Sequence, residues 1–127
     1  MQTLSTETIA TIEATAPDVQ AQAAAITFRM WHHLPSDAAR HLLFAEFALD
    51  GDSLGLLDAI VVAARRRSFE GLRLLTPVEA KGLASVYSSM EPALLLALTE
   101  ALGKMASDAV LSAWKRAFRF LTEGLAI

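Results

Sequence analysis

Residues 89–125, SMEPALLLALTEALGKMASDAVLSAWKRAFRFLTEGL, decide the fold class. Ser89-Met90-Glu91-Pro92 reads as a helix start, with a capping hydroxyl, early negative charge and a proline placed where its missing N–H costs least. From Ala93 to Leu98 the chain is apolar on every side, as in a helix packed between others. Gly103 ends that helix. Ser107-Asp108 then caps a last helix, in which Val110, Trp114, Ala117, Phe118, Leu121 and Leu125 recur at three-to-four spacing along one inward stripe. Two long helices in succession, one apolar all round and one amphipathic, form a helical core and its cover.

Working back towards the N-terminus, the same period persists. Thr76-Pro77-Val78-Glu79 is a capping box with Pro at the first helical position, and the helix it opens carries Leu83, Val86 and Tyr87. A helix from about Ser53 to Arg67 places Leu54, Leu57, Ile60, Val61 and Ala64 on one face. It closes on Arg65-Arg66-Arg67, which suits the negative end of its dipole. Asp50-Gly51-Asp52-Ser53 reads as a turn and cap, and Ala38 to Phe47 as a short helix entered through Leu34-Pro35-Ser36-Asp37. A helix over about 18–33 buries Val19, Ala23, Ile26 and Met30. It is divided at Ala16-Pro17 from a first helix capped near Ser5-Thr6-Glu7-Thr8. Ile60-Val61-Val62 is β-branched but lies inside helical periodicity, so no strand is expected. The expected fold is all-α, with six or seven helices in one domain spanning residues 1–127.

Composition agrees. Apolar residues make up 54% of the 127 and charged residues 20%, the excess being mostly the helix formers Ala and Leu. A net charge of −3 gives no electrostatic case for nucleic acid. With no cysteine, disulfides, thiolate catalysis and Cys-ligated metals are excluded. The first fifteen residues hold two Glu, no Lys or Arg and no long apolar run, unlike a signal peptide. No apolar run approaches a bilayer span. A soluble, cytoplasmic protein with no membrane contact is expected.

The order of these elements resembles a family. Leu98-Thr99-Glu100-Ala101-Leu102-Gly103, followed by Ser107 to Trp114 with Ala117-Phe118, resembles the last two helices of bacterial globins and the globin domain of flavohaemoglobins. Ile9 to Val19, with Ile12-Glu13-Ala14-Thr15-Ala16-Pro17, is similar to their first-to-second helix passage, and Ile26-Thr27 with Arg29 to the middle of their second helix. The likeness covers nearly the whole chain, with a shortened stretch between about Arg65 and Tyr87. It implies a globin-like domain and raises the question of haem.

In that family a proximal His holds the iron and precedes a Tyr that this chain keeps as Tyr87. The matching position here is Pro77, or Val86 if the gap is moved, and no His follows His41. The Glu that helps polarise the His is Arg116. The distal Tyr and Gln are replaced by Trp31 and Ser53, and the Phe wedged against haem corresponds to Phe44 or Phe47. Haem iron needs an axial His, Met, Cys or Tyr at a fixed place. The resemblance therefore implies a haem-free, non-catalytic binding or regulatory module, a sensor of a small apolar or acyl ligand or a docking unit for a protein partner. Its cofactor expectation is none. Its pocket-lining candidates are Trp31, Phe44, Phe47, Ser53, Leu57, Tyr87, Trp114 and Phe118. The alternative is a divergent haem protein that binds O2 or NO through His32, His33, His41 or Tyr87.

Other residues take ordinary readings. His32 and His33 are adjacent on a helix and diverge, so no metal site is expected. The Arg65–Arg67 cluster with Arg73, and the strip Lys115, Arg116 and Arg119, read as solvated helix faces. The chain has no Gly-rich phosphate loop, H-E-x-x-H motif or nucleophile elbow, so no enzyme is expected. Self-association through the last or penultimate helix is expected, because so apolar a small domain leaves patches uncovered.

Overall fold

The structure, a computed structural model, describes residues 4–44, 46–49, 52–68, 70, 72–74 and 80–125. Its order is α1 (Thr6–Ala21), α2 (Ala23–His33), α3 (Asp37–Leu43), β1 (Phe47–Leu49), β2 (Asp52–Leu54), α4 (Leu56–Arg66), β3 (Arg73–Leu74), α5 (Ala80–Leu102), a single 3-10 turn (Gly103–Met105) and α6 (Asp108–Leu125). Helix dominates, as the periodicity requires.

Caps set several of the boundaries. Ser5 Oγ accepts from the Thr8 N–H at 3.1 Å, Ser36 Oγ from Ala39 at 3.2 Å and Ser107 Oγ from Val110 at 3.3 Å. Each satisfies a donor the helix itself leaves free. Gly103 leaves α5 at φ +56°, a left-handed turn that glycine enters without a Cβ penalty. Arg67 ends α4 in the same region, at φ 53° and ψ 30°.

The break at Pro35 is present, between α2 and α3, but those expected at Pro17 and Pro92 are absent. Pro17 lies inside α1 and Pro92 inside α5. Each ring removes one i→i−4 bond, but buried neighbours hold the helix through it, Ala16 and Val19 in the first case and Ala93 and Leu94 in the second. The first two helices part instead at Gln22, whose N–H reaches back to Asp18 and Val19.

The stretch between α3 and α5 departs most from expectation. The third helix stops at Leu43, and Phe47, expected at its end, opens a strand. Ser53, expected to cap the fourth helix, lies in β2, and Gly55 takes the N-cap position without a side-chain bond. The three strands form one antiparallel sheet in the order β2-β1-β3, pairing Phe47 with both Leu54 and Leu74. The expected Asp50-Gly51 turn and the Thr76–Glu79 capping box fall outside the described residues.

The core runs where α2 packs on α5, α1 on α6 and α4, and α6 on α5 and α4. Trp114, Tyr87, Phe47, Phe118, Ile12, Ile26 and Met30 are fully buried there. The last helix buries Trp114, Ala117, Phe118 and Leu121 as its spacing predicts. The helix read as apolar all round is not wholly enclosed, because Leu96 on α5 is 50% exposed.

Candidate functional site

The outer face of α2 carries the apolar surface that folding leaves uncovered. Ile26 and Met30 turn inward and are fully buried, which points Phe28 and Trp31 outward, at 64% and 38% exposure. Phe44, at the end of α3, stands beside them at 62%. With Ala23, Ala24 and Thr27 these three aromatics line a groove of about 590 Å³. Small side chains at 23, 24 and 27 make its floor low, and aromatics make its walls. The Thr27 hydroxyl is the one polar side chain in that lining.

A second, smaller cavity of about 240 Å³ shares Thr27 and Phe44 with the groove. It reaches inward past Met30, Leu43 and Leu57 and is rimmed by Glu46 and Ser53. The two together make a cleft that is apolar on its outer part and polar at its inner rim. At the other end, the Arg40 guanidinium lies 4.8 Å from the Trp31 ring centroid, and its Nε donates to the Trp31 carbonyl at 3.3 Å. This cation–π contact fixes one wall of the groove.

The eight pocket-lining candidates are thus divided. Trp31, Phe44, Ser53 and Leu57 belong to the joined cleft. Tyr87 and Phe118 lie edge to face at 6.2 Å and line a separate cavity of about 230 Å³ between α5 and α6. Phe47 and Trp114 are core. The Trp114 indole N–H donates to Thr15 Oγ1 at 2.9 Å, tying α6 to α1. The sequence reading passes over Phe28, the most exposed aromatic of the cleft. Its signal was there: a large ring one step off the Ile26–Met30 stripe must face away from the core.

Haem is the cofactor of the family the chain resembles, and the donors among the described residues do not fit it. Val86 is aliphatic and half-buried, while Pro77 lies outside the described residues. The Tyr87 hydroxyl is buried, and loss of hydration pushes its pKa up to about 12, which disfavours the phenolate an iron would need. His33 Nε2 is committed to Glu100 Oε1 at 2.7 Å. His32 packs edge-on against Phe28 at 4.5 Å and Trp31 at 5.3 Å, on the outside of α2. His41 is exposed on α3, and Arg116 is exposed on α6. Among the described residues no three His, Asp or Glu side chains gather as metal ligands would, and no helix is long and apolar enough to cross a membrane.

Of the basic clusters, Arg65 reaches only to 4.0 Å from Glu13 at an exposed site, and Arg119 forms a close pair with Glu91. No protein-family model matches the chain, and no curated protein or solved structure matches it.

Proposed function

We propose that this chain is a haem-free, globin-like binding module without catalytic activity, which takes a small apolar ligand or a protein partner in the α2 cleft. The observation that carries this reading is the grouping of Phe28, Trp31 and Phe44 around one groove. Exposed aromatics scattered singly need no explanation, but three walling one concavity are an apolar patch of the kind that binding covers. The groove's volume of about 590 Å³ lies within the range of ligand sites. The aliphatic and surface-committed residues at the iron-holding positions support the haem-free part of the reading.

Titration with the neutral apolar dye Nile red tests it. Saturable one-to-one binding is expected, lost in Phe28→Asp, a change at an exposed position that leaves the core intact. Dye binding that is indifferent to this substitution would place the site elsewhere. Hemin added to the same protein is expected to give no sharp Soret band at one-to-one stoichiometry.

The alternative reading, a haem held by His32, is disfavoured by the packing of that imidazole on the outside of α2. A sharp Soret band abolished by His32→Ala would establish it in place of the first. Self-association through the last or penultimate helix belongs to the proposal as well, and sedimentation at micromolar concentration measures it.

A further inference from the structure

Tyr87 poses a problem that the α2 cleft does not touch. It is 2% exposed, and its hydroxyl has no hydrogen-bond partner among the described residues. A buried polar group left unpaired is uncommon and costly, and each instance calls for a partner. Tyr87 also lines the cavity of about 230 Å³ between α5 and α6, together with Ser88, Glu91, Phe118, Arg119, Thr122 and Glu123.

The chemistry of that lining is selective. Arg119 is spent on Glu91, to which its Nε and Nη2 donate at 2.6 and 3.1 Å. The Thr122 hydroxyl is spent on the Phe118 carbonyl at 2.9 Å. Two carboxylates, Glu91 and Glu123, face one guanidinium, so the lining carries one negative charge in excess. The Tyr87 and Phe118 rings add π faces, which attract cations. An unpaired hydroxyl oxygen, aromatic faces and a net negative lining, in which Glu123 shares the Arg119 charge with Glu91, favour positive charge and disfavour an anion. At ~30 Å³ for each water-sized group, the space suits a ligand of about seven heavy atoms or fewer.

We propose that this cavity binds a small primary alkylammonium ion, whose N–H groups donate to Tyr87 Oη and the Glu123 carboxylate while its alkyl chain lies against the Tyr87 and Phe118 rings. The site is separate from the α2 cleft and stands or falls independently of it.

Tyr87 is the one tyrosine in the chain, so tyrosine labelled only at Cζ, the carbon that bears the hydroxyl, gives a single carbon resonance. Titration with butylammonium chloride is expected to move that resonance saturably, whereas 1-butanol and butanoate leave it in place. By calorimetry Glu123→Gln, at an exposed position, should weaken butylammonium binding roughly tenfold, the scale of one charge-assisted hydrogen bond. Tyr87→Phe should weaken it as well while the ligand-free fold is at least as stable as before, because that hydroxyl has no bond to lose. Equal shifts from butanol and butylammonium would show a merely apolar cavity and overturn the proposal. So would no saturable shift at all, or an affinity that Glu123→Gln leaves unchanged.

Discussion

Thr15 does more than its size implies. Its hydroxyl donates to the Thr11 carbonyl at 2.8 Å and accepts from the buried Trp114 indole at 2.9 Å, so one oxygen links the first helix to the last. Thr15→Val keeps the shape and removes the acceptor, leaving an indole N–H unpaired in the core. The expected loss is about 1–3 kcal/mol of unfolding free energy, read from the denaturant midpoint by circular dichroism. Tyr87 makes the opposite prediction, at alkaline pH. Its folded pKa of about 12 stands above the ordinary 10.0, so between those values the unfolded chain gives up the proton first. Stability is therefore flat in this group below pH 10 and falls above it, by up to about 1.4 kcal/mol per pH unit, until the folded pKa is reached. A midpoint-against-pH series should show that decline, and Tyr87→Phe should remove it. Residue roles of this kind were only partly legible in the sequence. The inward positions of Trp114 and Phe118 followed from helical spacing, but the Thr15 partnership joins positions 99 apart, which no local pattern connects.

At the scale of elements, the helices were readable because hydroxyl caps and a three-to-four apolar period act locally. The readings at Pro17 and Pro92 failed for the same reason. A local rule prices the lost N–H, whereas the packing of Ala16, Val19, Ala93 and Leu94 that offsets it is tertiary. The sheet escaped notice because its strands have two or three residues each, too few to show alternation, and because β1 pairs with β3 across the whole of α4. Two helix ends test the backbone argument directly. Arg67 holds a left-handed conformation at a helix end, so Arg67→Gly should stabilise the fold by up to about 1 kcal/mol. Gly103→Ala meets no atom within 4 Å of the added carbon, so its expected cost of about 1 kcal/mol comes from φ alone. Denaturant midpoints that shift in opposite directions, with unchanged slopes, would verify both.

Across the whole molecule, α2 is held to α5 by buried side chains within and by a charged clasp at the surface. Glu100 receives His33 at 2.7 Å and Arg29 at 3.4 Å. The hydrogen bond from His33, followed by its charge and that of Arg29, holds the Glu100 carboxyl below its usual range. A lowered carboxyl contributes stability that is present above the ordinary carboxylate pKa and lost as pH falls through the depressed one. The acid limb of a midpoint-against-pH curve should therefore be shallower in Glu100→Gln than in the parent protein. The all-α class was legible, the short sheet aside, since composition and period agree. The candidate site was legible in Trp31, Phe44, Ser53 and Leu57, and hidden where those residues join Phe28, because a groove is a property of several elements at once.

The two tryptophans occupy opposite surroundings, one sealed under the last helix and one at the rim of an open groove. A collisional quencher such as iodide reaches the second and not the first. The emission of this protein is therefore separable into a shielded component that changes when the chain unfolds and an accessible one that changes when the groove is covered. Occupancy and integrity can be followed in the same cuvette, without a label.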